Sequence, residues 1–235
     1  GVLGEGKQKV SRMLMALERE GLLDRSDPRR PCLTEAGRAR AAYYEERTNV
    51  VLNHLLYEGL DIDSALHDAY AWALMSSDEG MALIRSSEQR YRAKYELRRQ
   101  SEFGGAELCR RLGDGEYCFP FLIYREYVSG GTNLSMANEA FSHPCTLAVD
   151  LSARSQMTGR EMNGRVRRLM YLDGSTFAPA YDDGRAISFP ARTLHFLNIG
   201  SGVGQILHGS VCLRMQCSVG TKHMPESTAI FTILI

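Results

Sequence analysis

The stretch Lys9–Leu23, KVSRMLMALEREGLL, runs without a gap into Asp24–Ala41, DRSDPRRPCLTEAGRARA. Val10, Met13, Leu14 and Leu17 recur at i, i+3, i+4 and i+7, the apolar stripe of a helix spanning roughly Gly6 to Glu20. At about 100° per residue, Gln8, Arg12 and Arg19 fall on the opposite side, with Lys9 and Ser11 flanking them. Gly21 suits the left-handed position just past a helix end. Leu22-Leu23 and Cys32-Leu33 then bracket Asp27-Pro28-Arg29-Arg30-Pro31, whose prolines and polar residues predict a tight loop carrying Arg25, Arg29 and Arg30. Thr34 reads as the N-cap of a new helix through Glu35-Ala36-Gly37-Arg38, running to about Tyr57 and broken near Gly59.

Helix, basic turn between two short strands, helix: this is the order of the second half of a winged helix-turn-helix. In such a domain one helix enters the major groove and a basic loop beside it grips phosphate. The N-terminal residues of the reading helix reach base edges, where Arg pairs with guanine O6/N7 and Gln with adenine N6/N7. Gln8, Lys9, Ser11 and Arg12 are therefore the predicted base-side contacts, and Arg29 and Arg30 the predicted phosphate contacts. Taken alone, the first helix fits an ordinary amphipathic surface helix equally well. The arginine loop and the capped helix after it favour DNA.

Composition bounds the reading. The chain has 235 residues, 44% of them hydrophobic, enough for one or two domains with real cores. No apolar run reaches the ~18 residues of a membrane span, and no charged-then-apolar leader suggests secretion, so a cytoplasmic protein is expected. Six cysteines in a chain of this length read as reduced thiols rather than a disulfide framework. Net charge is zero but unevenly spread: residues 1–40 hold nine Lys/Arg against six Asp/Glu, residues 41–80 one against eight, and residues 85–100 six against two. Local basic patches matter to nucleic acid more than the total does.

VSRMLMALEREGLL, then LTEAGRARA, then GLDIDSALHDAYAWALMSSDEGMALI (from Gly59 to Ile84) resembles the iron- and manganese-dependent repressors of the diphtheria-toxin-repressor type. The resemblance runs from about Lys7 to Ile84, and GLD…W…MSSDE is its most specific part. It implies a DNA-binding transcriptional regulator, an operator as partner, and a homodimer joined through the helices of about Asp63 to Ile84. It also implies a divalent transition metal (Fe, Mn or Zn) as effector. Two departures matter. The family has two helices before the reading helix, so the given sequence is expected to hold only part of the DNA-binding domain. The family's ligand positions fall here on Arg47 or Thr48, Val51, Tyr70, Ala73 and Leu74, with Leu66 at a further one and His67 beside it. None is a ligand of the expected kind, which leaves the effector open. Leu66, Ala69, Ala73 and Leu74 read as helix packing.

Residues 85–103 read as a basic connector helix, with Gly104-Gly105 as a boundary. Beyond it the pattern changes to short strand-like runs: YCFPFLIYREYV, CTLAVDL, GRVRRLMYL, RAISFP, TLHFLNI, SVCLRMQCSV and STAIFTILI. Asp173-Gly174 and Asp183-Gly184 are the best hairpin turns. LSMANEAFSHPCTLAV resembles a turn of FeoA/SH3-like domains, which often close repressors of this type. The expected fold is thus α+β: a partial winged helix-turn-helix (1–42), a helical dimerisation domain (43–103) and a β-rich regulatory region resembling an SH3-like small barrel (104–235).

The β region carries the remaining chemistry. His143, Cys145, His208, Cys212, Cys217 and His223 combine soft sulfur with imidazole, the donors that zinc, iron or haem would choose. None of the spacings is a knuckle, and Cys212 and Cys217, five apart, would face opposite sides of a straight strand. Buried reduced cysteines and surface histidines fit as well. NIGSGVGQ, Asn198–Gln205, lacks the Lys-Ser/Thr of a phosphate loop and reads as a β-turn. The favoured expectation is a non-enzymatic DNA-binding regulator. Its rivals are a ligand- or redox-sensing β module and, more remotely, a cysteine enzyme using Cys145 with His208.

Overall fold

A computed structural model of the chain describes residues 6–27, 29–127, 131–162, 164–201, 204–219, 222–223 and 226–235. The protein is α+β, with five α-helices and antiparallel sheets among these residues. It divides into two compact units, residues 1–88 and 89–235.

The helical unit opens with α1 (Lys7–Arg19), the ribbon of β1 (Leu23–Asp24) and β2 (Cys32–Leu33), and α2 (Glu35–Tyr57). It continues with α3 (Ile62–Met75) and the start of α4 (Asp78–Leu97). The helix ends lie where capping chemistry puts them. Gly21 and Gly59 both have positive φ, +72° and +93°. Behind each, two backbone N–H groups turn back onto the preceding helix: Gly21 to Glu18 and Leu22 to Leu17, Gly59 to Leu56 and Leu60 to Leu55. The Thr34 hydroxyl accepts from Gly37 N at 3.0 Å and donates to Gly21 O at 2.7 Å, fastening the start of α2 to the end of α1. Val51, Leu55, Ala65, Ala69 and Met81 form the core of this unit.

Two expectations change here. The α1 stripe is only partly covered: Val10, Leu14 and Leu17 are half-buried, none of the helix's residues is fully buried, and Met13 is 48% exposed. On α3, Ala69 and Ala73 are buried as expected, but Leu66 and Leu74 are exposed together with Ile62 and Tyr70. At i+4 steps these four make an outward apolar stripe.

The β unit contains the end of α4, β3 (Glu102–Gly104) and α5 (Gly105–Leu112). Next come β4 (Gly115–Phe119), β5 (Phe121–Arg125), β6 (Cys145–Val149), β7 (Gln156–Arg160) and β8 (Val166–Asp173). β9 (Thr176–Pro179), β10 (Tyr181–Asp182), β11 (Ala186–Pro190) and β12 (His195–Ser201) follow. β13 (Gly204–Val219), β14 (Lys222–His223) and β15 (Ser227–Leu234) complete it. One sheet has the order β10-β11-β7-β6-β4. The other runs β3-β12-β13-β15-β5, with β14 and the β8–β9 hairpin also joined to β13. Asp173-Gly174 makes the β8–β9 turn and Asp183-Gly184 the β10–β11 turn, with positive φ at both glycines.

The small closed barrel gives way to two open sheets over one shared core. Neither strand order returns on itself among the described residues. Phe189 of β11 meets Phe231 of β15 edge-on at 5.6 Å, and Tyr171 of β8 at 5.9 Å, tying sheet to sheet. The physical reason is Pro120. YCFPFLIYREYV reads as one strand, but a residue without N–H interrupts the ladder. β4 on one side of it joins the first sheet and β5 on the other joins the second. At the expected boundary Gly104-Gly105 the chain instead enters α5, which buries Leu108, Cys109 and Leu112. At 16 residues, β13 is the backbone of the larger sheet: Leu207, Val211, Leu213, Met215 and Cys217 point into the core and the even positions point out.

Candidate nucleic-acid interface

Gln8, Lys9, Ser11 and Arg12 all lie in the first half of α1, and all are exposed. The loop between β1 and β2 is shaped by its aspartates. Asp24 Oδ1 accepts from Ser26 N at 2.8 Å, and Asp27 Oδ1 accepts from Arg29 N at 2.9 Å. The backbone bond to Ser26 holds the Asp24 carboxyl below its ordinary range. Arg29 and Arg30 leave this turn exposed; Pro28 lies outside the described residues. Arg25 differs from them. It is half-buried and paired with Glu18 at 3.2 Å, so it ties the loop to α1. Sequence spacing did not single out Arg38, in the first turn of α2. It donates to Leu33 O at 2.9 Å and so holds the end of β2. Its only sequence signal was the excess of basic residues before position 41.

At the positions where the resemblance places metal ligands, the residues do not fit a metal. Arg47 is only 5% exposed and is already a cation. Its Nε donates to Ala73 O at 2.9 Å, Nη2 to Ser76 O at 2.5 Å, and Nη1 to both Tyr43 Oη and Asp78 Oδ1 at 2.7 Å. Val51 and Ala73 are buried without donor atoms, while Tyr70, Leu74 and His67 face outward. Thr48 Oγ1 is spent on Tyr44 O at 2.8 Å.

The cysteine–histidine candidates are dispersed. Among the described residues no three His, Cys, Asp or Glu side chains are grouped to hold a metal ion. Cys145 is buried in the first sheet and its thiol donates to Phe119 O at 3.3 Å. Cys217 is buried on the inner side of β13, and Cys212 lies on the outer side, half-buried. His208 is on that outer side too, between Leu197 of β12 and Leu234 of β15. Cys145 and His208 therefore belong to different sheets, on inner and outer faces. The exposed His143 ring stacks on Phe121 at 4.0 Å. The side chain of His223 is outside the described residues, as are Gly202 and Val203 of the glycine-rich segment.

Burial pushes the Cys145 thiol up to about 12 and the Cys217 thiol up to about 11, from an ordinary 9.0. Both are protonated at neutral pH, when thiolate is the reactive form. Iodoacetamide at pH 8 should label exposed Cys32 and Cys118 in the native protein and spare Cys145 and Cys217 until denaturant is added; rapid native labelling of Cys145, read by peptide mass spectrometry, contradicts its burial. The same shifts set a sign for pH. Proton retention by folded thiols stabilises the native state fully below about pH 9, and that contribution is lost as pH rises through 11 to 12.

Two open clefts lie in the β unit. One, about 500 Å³, is lined by Arg125, Arg214, Glu126 and Glu226, balanced in charge. The other, about 620 Å³, holds Arg110, Arg154, Arg192 and Asp150. Glu107 engages Arg110, and Asp173 engages Arg192 at 2.5 Å, so most of its positive charge is already answered. These hydrogen bonds hold both carboxyls below their ordinary range.

No protein-family model and no curated protein matches the chain. Among solved structures it is similar to the NEAT5 domain of IsdX2, a B. anthracis hemophore in complex with heme, at 14% identity and a TM-score of 0.36, covering 52% of this chain and 96% of that one. A mutant of the same NEAT5 domain, also in complex with heme, gives the same identity and TM-score with 95% of that chain covered. No helix among the described residues is long and apolar enough to cross a membrane.

Proposed function

We propose that this chain is a sequence-specific DNA-binding transcriptional regulator of the metal-dependent repressor type, working as a homodimer on a double-stranded operator. The observation that carries the reading is the exposed run Gln8, Lys9, Ser11 and Arg12 on α1, next to a loop that presents Arg29 and Arg30. In this reading α1 is the recognition helix and the β1–β2 ribbon the wing. Two-fold pairing sets the spacing of two half-sites about one helical turn apart. The outward stripe of Ile62, Leu66, Tyr70 and Leu74 supports pairing through α3. The β unit serves as the regulatory part. A second reading, a ligand-sensing β module without operator binding, draws on its two clefts, whose volumes suit small molecules.

The test is selection of bound duplexes from a random library, then affinity measurement over a salt series. Arg12→Ala should weaken the selected site by about 1–3 kcal/mol and relax base preference at one position. Arg30→Ala should weaken all duplexes alike and lower the salt slope by about one. If Arg12→Ala leaves selected-site affinity and preference unchanged, α1 is not the reading helix. Failure to enrich any duplex favours the second reading.

A further inference from the structure

α1 and α2 end on glycines whose turns satisfy the last carbonyls from within the backbone. α3 does not. It ends at Ser76 in extended conformation and passes through Ser77 into α4, with no glycine to fold the chain back. Carbonyls at a helix C-terminus still need donors, and that end carries partial negative charge. Here the donors come from another helix. The Arg47 guanidinium, projecting from α2, satisfies Ala73 O and Ser76 O. It also pairs with Asp78, the first residue of α4, while Tyr43 Oη accepts from Arg47 and itself donates to Asp78 at 3.1 Å. One planar cation thus bonds to three helices at a single joint.

We infer that Arg47 is a permanent internal cation that fixes the α2–α3–α4 joint, so that the helical unit keeps its arrangement without any divalent metal ion. With respect to regulation, this rests on the reading of the chain as a repressor-type DNA-binding protein: where relatives by resemblance would hold an exchangeable metal, this chain has a charge it cannot release. The fork geometry is essential, because a lysine ammonium is a point charge unable to reach both carbonyls and Asp78 in one plane. Asp78 is the minor partner, since its side chain is 84% exposed and its attraction is screened by water.

Trp72, the chain's one tryptophan, sits on α3 next to Ala73 and is 41% exposed, and its emission follows the unfolding of the helix that Arg47 closes. The experiment follows Trp72 emission during thermal unfolding of the full chain, first with excess EDTA, then with MnCl2 or ZnCl2 added. The wild-type spectrum and midpoint should be the same in all three conditions. Arg47→Met should lower the Trp72 midpoint by about 10 °C. Arg47→Lys should lower it by less, and Asp78→Asn by least. If Arg47→Met does not fold, the order of the other two decides. Asp78→Asn falling further than Arg47→Lys would show that the exposed ion pair, not the carbonyl bonds, holds the joint, and would overturn the inference. A stoichiometric metal-dependent change in wild-type Trp72 emission would also overturn it, as would an Arg47→Met protein indistinguishable from wild type. None of these readouts involves DNA, so a chain that behaves this way yet enriches no duplex loses the functional reading and keeps the joint.

Discussion

Gly105→Ala is expected to destabilise the β unit by about 3 kcal/mol or more, while the same change one residue earlier is nearly silent. A Cβ on Gly105 would lie 1.9 Å from the Ala191 carbonyl oxygen and 3.2 Å from Leu194 Cβ. That carbonyl has nowhere to retreat. Ala191 is fully buried, its N–H donates to Ser155 O at 2.9 Å, and Leu194 N closes a turn onto it at 3.1 Å. Gly105 N itself donates to Leu194 O at 2.7 Å, so α5 is drawn against this turn by the contact a methyl group would pry apart. At Gly104 a Cβ meets nothing within 4 Å. Calorimetric melting of the two variants separates steric exclusion from any general intolerance of side chains at this junction. Equal midpoints would mean that α5 does not sit against the Ala191–Leu194 turn.

Gly37→Ala should do comparable damage in the helical unit and leave the β unit intact. Its Cβ would lie 1.9 Å from Leu22 O, a carbonyl already fixed by Thr34 N at 3.1 Å. The methyl must lever the start of α2 away from the turn that follows α1. Hydrogen exchange should then rise throughout residues 7–33, with little change in α3, because the Val51–Ala65–Ala69 core lies further along α2. If α1 is the reading helix proposed above, operator affinity would fall with the loss of order in it. Gly80→Ala is the control. It is helical, its nearest neighbour is Ser77 Oγ at 3.5 Å, and removing a helix glycine should stabilise by about 0.5–1 kcal/mol. Exchange in α1 unchanged by Gly37→Ala would refute this packing.

What was legible in the sequence was local. Gly21, Thr34 and Gly59 mark helix boundaries through bonds made within a few residues, and the structure places those boundaries within one residue of expectation. Alternation along β13 likewise put Cys212 and Cys217 on opposite sides. What escaped depended on partners far along the chain. α5 has no side-chain N-cap, and its opening glycines imitate a linker until the Ala191 carbonyl behind them is known. Pro120 reads as a blemish in one strand, whereas it is the crossing point between two sheets. Arg47 looked like the loss of a ligand, because nothing local tells that its acceptors lie 26 and 29 residues ahead. For the candidate interface, periodicity separated the polar from the apolar face of α1 but could not tell whether that apolar face is covered.

The long strand β13 also dictates when the protein can fold. Phe121 of β5 pairs with Ile233 of β15, and Glu102 of β3 with Leu197 of β12, so the larger sheet joins strands about a hundred residues apart in sequence. At ribosomal speeds of about 5–20 residues per second, the sequence Phe121-Leu122-Ile123-Tyr124 waits roughly 5–20 s for its partner strand to be made. The helical unit, whose joints span about 30 residues, needs no such delay. During that interval an apolar edge strand stands open, and nascent chains crowded on one messenger are most prone to aggregate through it.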